Sequence, residues 1–112
     1  MQGWTCRLVR GGVELGIITH DPREDAGPCE AGWLQPSPAF DAVRHLFADD
    51  VQLWPTLREA ATGSVALAEV LAKLEEIQRQ ILGPGVRLIR IENEQVYEVE
   101  EIHIEGLKVV WK

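Results

Sequence analysis

The chain has 112 residues, of which 46% are hydrophobic and 26% are charged. This length suits one compact domain, predicted over residues 1–112, and this composition argues against intrinsic disorder. The formal net charge is −7, with 11 basic and 18 acidic residues spread along the chain. Because no segment supplies a basic stripe, we expect neither nucleic acid nor an anionic membrane as a partner.

The start of the chain and its cysteines favour a cytoplasmic protein. No apolar run approaches the roughly 20 residues that a transmembrane helix needs. Residues 1–7 lack a basic region followed by an apolar core, so we expect no signal peptide. Cys6 and Cys29 form no C-x-x-C pair, and each is expected to pack as a small hydrophobic residue.

The N-terminal third alternates apolar and polar residues, which predicts strands. These strands are predicted over residues 4–10, 13–20 and 29–34. Gly11-Gly12 joins the first two strands, because glycine accepts the positive φ of a tight hairpin turn. We expect Val13, Leu15 and Ile17 to share one face of the second strand.

Helical periodicity follows in the middle of the chain. Helices are predicted over residues 39–48, 50–60 and 65–82. Ser37 is the expected N-cap of the first helix, with Pro38 at its first position, and Ser64 is the expected N-cap of the longest helix. The apolar stripe of the longest helix consists of Leu67, Val70, Leu71, Leu74, Ile77 and Ile81.

The last quarter returns to the alternation of strands, predicted over residues 86–91, 96–104 and 107–111. In the middle one, the apolar residues Tyr97 and Val99 have odd numbers, whereas Ile102 and Ile104 have even numbers. A phase slip of one residue predicts a β-bulge near Glu100-Glu101.

The predicted elements run as three strands, then helices, then three strands. Short turns between strands imply antiparallel pairing. The predicted fold is therefore α+β, with an antiparallel sheet built from N-terminal (βββ) and C-terminal (βββ) segments and two or three helices packed on one face.

The third strand and first helix read C-E-A-G-W-L-Q-P-S-P-A-F over residues 29–40, followed by Val43-Arg44 and Leu46-Phe47. This segment, with H-I-E-G over residues 103–106 and Trp111, resembles a family of small uncharacterised bacterial α+β proteins. The sequence has Leu34-Gln35 where that pattern has Phe and an acidic residue. The resemblance implies the α+β layout and a bacterial origin, and it transfers no catalytic residue.

The sequence favours a non-catalytic role over an enzyme. Its serines, Ser37 and Ser64, lie where helix N-caps belong, and neither lies in a G-x-S-x-G motif. No glycine-rich segment matches a phosphate-binding loop. We therefore predict no catalytic residue, no cofactor and no metal site.

The leading hypothesis is a protein-binding accessory, immunity-type or regulatory module. Four tryptophans in 112 residues is a high content, and tryptophan is enriched at binding hot spots. Trp33 and Trp54 are the candidate anchors for another protein, and the acidic charge suits a basic partner. A homodimer through residues 65–82 or through an open sheet edge is a further possibility.

The alternative is a small enzyme or a small-ligand or metal-binding domain. Glu101, His103 and Glu105 alternate on one strand and so project from one face. If Glu105-Gly106 is the turn, Lys108 lies opposite His103, and a cross-strand charge ladder is the favoured interpretation of this face. The other candidate set consists of His20, Asp21, Cys29 and Glu30.

Overall fold

Residues 3–112, which a computed structural model describes, form a seven-stranded antiparallel sheet and three α-helices, so the predicted α+β fold is confirmed. Residues 1–2 lie outside this range. They belong to the predicted domain and to the segment that we expect not to be a signal peptide. The strands are β1 (Thr5–Arg10), β2 (Val13–His20), β3 (Glu30–Pro36), β4 (Val86–Arg90), β5 (Val96–Glu98), β6 (Ile102–Glu105) and β7 (Lys108–Trp111). The helices are α1 (Arg44–Gln52), α2 (Trp54–Glu59) and α3 (Val65–Leu82).

The strands lie in the order β5-β4-β1-β2-β3-β7-β6. The N-terminal strands therefore form the centre of the sheet, and the C-terminal strands flank them on both sides. Each neighbouring pair is antiparallel. This arrangement agrees with a sheet assembled from the two ends of the chain.

The prediction of a single bulged strand over residues 96–104 is wrong. β5 pairs with β4 on one side of the sheet, and β6 pairs with β7 on the other. Between them the N–H of Val99 donates to the carbonyl of Val86, and the N–H of Glu100 donates to the carbonyl of Lys112. The phase slip marks the point where the chain crosses between the two sides, and this crossing curls the sheet.

A β-bulge does occur in the N-terminal hairpin, where the register of β1 against β2 shifts and Leu15 is the extra residue. The expectation that Val13, Leu15 and Ile17 share a face is wrong for this reason. Leu15 is buried, whereas Val13 is exposed and Ile17 is half-buried. The residue after the bulge is a glycine, Gly16, because a Cβ at this position would lie 2.4 Å from the carbonyl oxygen of Gln35.

The helix predicted over residues 39–48 is wrong in its bounds, because Pro38–Ala42 forms a 3₁₀ turn and α1 begins only at Arg44. Ser37 does not cap it, since its hydroxyl donates to the carbonyl oxygen of Glu14 at 2.8 Å. The turn and α1 still deliver Phe40 and Phe47 to the core, with ring centroids 5.7 Å apart.

The longest helix covers the sheet only in part. α3 runs over the predicted residues, and Ser64 accepts a hydrogen bond from the N–H of Leu67, so its N-cap is confirmed. Of its apolar stripe, Val70 and Ile81 are buried, whereas Leu71 is 49% exposed. Within residues 3–112, the structure contains no helix with the length and apolar character needed to cross a membrane.

Candidate binding site

A pocket of about 460 Å³ opens between α2, α3 and β6, a size typical of ligand sites. We call it the Trp54 pocket. Its walls are apolar side chains, and one end carries polar and acidic groups. The apolar walls are Trp54, Leu57, Leu71 and Leu74, and the polar groups are Asp50, Glu75, Gln78, Glu101 and His103.

A proline at the joint between two helices positions the tryptophan. α1 ends at Gln52, and α2 begins at Trp54 with Pro55 in its first turn. Proline has no N–H for the hydrogen bond that would continue the preceding helix, so the chain bends here. The bend places the Trp54 ring edge-on to the ring of His103, with centroids 5.4 Å apart.

A fully buried carboxylate, Asp50, lies at the base of the pocket. Nδ1 of His103 is 2.5 Å from one oxygen of Asp50, and the amide nitrogen of Gln78 donates to the other at 3.2 Å. A buried charge is tolerated when it is paired and hydrogen-bonded in this way. These contacts fix α1, α3 and β6 relative to one another.

His103 connects this buried carboxylate to the pocket rim. Its Nε2 lies 3.4 Å from a carboxylate oxygen of Glu101. Burial lowers the pKa of His103, but the hydrogen bond and charge of Asp50, followed by those of Glu101, outweigh burial and raise the pKa above its usual value. His103 therefore keeps its proton to a higher pH than a free histidine does, and each ring nitrogen faces one carboxylate.

The structure brings three of the predicted residues together, since Trp54, Glu101 and His103 line the same pocket. Glu105 does not join them. The turn lies at Gly106-Leu107, so Lys108 pairs in register with Glu105, and Val110 with His103. The charge ladder with Lys108 opposite His103 is therefore wrong.

The side chain of Lys108 instead pairs with a glutamate of another segment. Its ammonium lies 3.0 Å from a carboxylate oxygen of Glu24. Among the described side chains, no group of three or more His, Cys, Asp or Glu is arranged to hold a metal ion.

The second predicted set makes other contacts. Nε2 of His20 lies 3.0 Å from Asp25, and Asp21 accepts hydrogen bonds from the side chains of Arg23 and Trp33. Trp33 is 45% exposed, but it is absent from the Trp54 pocket. Neither Cys29 nor Glu30 lines that pocket, and Glu30 lies on the surface.

Sequence reasoning missed Asp50 and Gln78. Each carried a signal: Asp50 follows the core residue Phe47 by three positions, and Gln78 precedes the core residue Ile81 by three. Residues three apart share a face of a helix. A polar residue at such a position needs a buried partner, and His103 supplies it for Asp50.

Comparison with protein-family models, with curated proteins and with solved structures finds no match to this chain. The resemblance of residues 29–47 to small bacterial proteins therefore stays a prediction. The geometry of the Trp54 pocket is what supports a function.

Proposed function

We propose that the protein is a non-catalytic binding module of the accessory, immunity-type or regulatory class. The Trp54 pocket binds a segment of a partner protein, and in that segment an apolar residue stands next to Lys or Arg. The observation that carries the proposal is an open apolar pocket around Trp54, with acidic Glu75 and Glu101 among its lining residues.

The extent of the apolar surface favours a protein segment as the occupant. Leu71 is 49% exposed and Val65, at the start of α3, is 75% exposed. A further hollow of about 360 Å³ between α1 and α3 includes Leu53 and Ile77. An apolar pocket beside exposed apolar residues of a helix suits an amphipathic segment lying in a groove, and tryptophan is enriched among the anchors of such contacts.

The charge of the pocket favours a basic segment. The carboxylates of Asp50 and Glu101 both lie against the one imidazole of His103, and that of Glu75 pairs with Arg79 at 3.8 Å, so these three carboxylates outnumber the basic groups beside them and the pocket keeps a net negative charge. The chain as a whole carries −7. Complementary charge speeds the encounter and selects the partner more than it adds affinity.

Self-association through residues 65–82 would use the same surface. In a two-fold symmetric contact each patch meets its own copy, so the net negative charge of the Trp54 pocket would lie against a like charge. We therefore favour a basic partner over a homodimer, and light scattering distinguishes the two. The proposal includes a cytoplasmic setting, in line with the free thiols of Cys6 and Cys29.

The test is a selection of displayed random peptides on the immobilised protein, followed by titration of the enriched peptides in solution. We expect sequences with an apolar residue beside Lys or Arg. Trp54→Ala should weaken their binding at least tenfold, because tryptophan anchors contribute about 2 kcal/mol or more. Trp33→Ala, which removes another half-exposed tryptophan, is the matched control and should bind as the wild type does.

Two results would contradict the proposal. One is enrichment of peptides without basic residues, with affinity that does not change between low and high salt. The other is equal binding by wild type and Trp54→Ala after amide NMR spectra have established that the variant is folded.

A second candidate function is small-ligand binding or catalysis at the same pocket. Asp50 holds Nδ1 of His103 and Nε2 lies toward the rim at Glu101, an arrangement in which a protonated imidazole can act as a general acid. A thermal-shift panel of metabolites tests this candidate. A ligand at 100 times its Kd adds about 2.7 kcal/mol, and that gain should vanish in His103→Gln.

A further inference from the structure

A second cavity, of about 370 Å³, opens where the curled sheet brings β4 and β5 near the end of β7. We call it the sheet-end cavity. Its floor includes the core residues Leu88 and Trp111, which are almost fully buried. It shares no lining residue with the Trp54 pocket, so an occupant here is independent of the proposed function.

The walls of this cavity are aromatic. The ring of Trp4 lies 5.9 Å from that of Trp111, edge to face, and 6.2 Å from that of Tyr97, nearly parallel. Tyr97 is 38% exposed. A concave site with aromatic walls and a few polar groups is the usual form of a small-molecule site, and these walls suit a flat or branched apolar group.

The rim offers one negative and one positive group. Glu98 is already paired, since its carboxylate lies 2.9 Å from Arg87. Glu30 and Lys112 line the cavity and make no ion pair with any described residue. Glu30 is opposite Trp111 in the ladder, so Lys112 stands one position further along the same edge of the cavity.

Near Trp4, two buried side-chain nitrogen atoms lack hydrogen-bond partners. Across the described residues, the buried side-chain polar atoms without a partner are Nδ1 of His20 and Nε of Arg90. Both side chains contact the ring of Trp4, at 5.0 and 5.2 Å. Buried polar atoms without partners are rare, and both of these lie against the Trp4 ring although neither His20 nor Arg90 lines the cavity.

From these features we infer that the sheet-end cavity binds a zwitterionic amino acid with a large apolar side chain. The side chain packs against the cavity wall that Trp4, Tyr97 and Trp111 form. Its ammonium group faces Glu30, and its carboxylate faces Lys112. The two rim charges, one of each sign, distinguish this class of ligand from a plain amine or a plain carboxylic acid. Either of those would leave one rim charge without a partner.

The test is titration of the protein with L-phenylalanine and L-leucine, read by tryptophan fluorescence and by amide NMR shifts. Phenethylamine lacks the carboxylate, and 3-phenylpropionate lacks the ammonium group. We expect saturable binding of at least one amino acid, with shifts at Trp4, Tyr97 and Trp111. Each phenylalanine analogue should bind about tenfold more weakly than its parent, because a hydrogen bond to a charged group is lost.

Surface variants assign the two charges without disturbing the core. Glu30→Gln should weaken L-phenylalanine and phenethylamine and leave 3-phenylpropionate unchanged. Lys112→Met should weaken L-phenylalanine and 3-phenylpropionate and leave phenethylamine unchanged. Glu105→Gln, at an exposed glutamate outside the cavity, and Trp54→Ala are controls and should bind normally.

Three results would overturn the inference. The first is no saturable response to either amino acid at millimolar concentration. The second is an analogue that binds as tightly as L-phenylalanine. The third is unchanged binding in both Glu30→Gln and Lys112→Met. Loss of binding in Trp54→Ala would move the site to the other pocket and would also count against it.

Discussion

Gln78 pairs with the free edge of the sheet at Ile102. Its side-chain nitrogen donates to the carbonyl oxygen of Ile102 at 2.8 Å, and its side-chain oxygen accepts from the N–H of the same residue at 3.3 Å. β6 is the last strand in the sheet order, and an edge strand with free backbone groups is a template for association with other chains. The amide of Gln78 thus stands where a neighbouring strand would.

Removing this amide should destabilise the fold. Gln78→Ala leaves the N–H and carbonyl of Ile102 and one oxygen of the buried Asp50 without their partner. An unsatisfied buried group costs about 1–3 kcal/mol, so we expect a loss of that order in the free energy of unfolding, measured with urea. Gln80→Ala, at an exposed glutamine of the same helix, is the control, and equal midpoints for the two variants would contradict the prediction.

The pair of His103 and Asp50 should make stability depend on pH. The pKa of His103 is raised in the folded protein. The contribution of the pair to the free energy of unfolding is therefore complete at a pH below the pKa of histidine in the unfolded chain, about 6.5. That contribution is lost as the pH rises through the raised pKa. Wild type should therefore lose stability relative to His103→Gln as the pH increases above about 6.5, in urea titrations at several pH values. Parallel curves for the two proteins would show that the pair is not linked to folding.

Asp21 should stay ionised at a lower pH than an ordinary aspartate does. Hydrogen bonds from Arg23 and then from Trp33 lower its pKa to about 2. Carboxyl carbon shifts followed by NMR from neutral to acidic pH give this value directly. Arg23→Ala and Trp33→Phe should each raise the pKa toward the usual value, with the larger change for Arg23→Ala, whereas Arg58→Ala, at an exposed arginine elsewhere, should have no effect.

The cysteines should differ in reactivity. Burial raises the pKa of the Cys6 thiol to about 12, whereas Cys29 is half-buried in the loop before β3. Because the thiolate is the reactive form, iodoacetamide at pH 8 should modify Cys29 and spare Cys6 in the native protein. Mass spectrometry of intact Cys29→Ser should show no added label until denaturant is present. Rapid labelling of that variant without denaturant would mean that the core around Cys6 opens readily.

Local patterns predicted local structure well. The bounds of α3 and its N-cap Ser64 follow from periodicity and from one hydroxyl, and both are decided within a few residues of chain. Ser37 carries the same signal, yet its hydroxyl bonds to Glu14 in a distant strand. A tertiary partner overrode the local preference there, and no pattern within one helix reports such a partner.

The candidate site was predictable only in fragments. Trp54 was noticed as a candidate anchor, and Glu101 and His103 were noticed together on one predicted strand, but nothing in the sequence linked that strand to Trp54. What joins them is Asp50, whose partner His103 lies 53 residues away. A charged residue on the apolar face of α1 was the available signal, and the identity of its partner depends on how α1 packs on β6.

The strand order also constrains how the protein folds during synthesis. The hairpin of β1 and β2 and its pairing with β3 can form early, but β3 pairs on its other side with β7, through Glu30 and Trp111. While the ribosome is still making the helices, β3 is therefore an open edge, and such edges invite aggregation. Pairings between residues so distant in sequence also form slowly, so a nascent chain stalled before β7 should be a good substrate for chaperones.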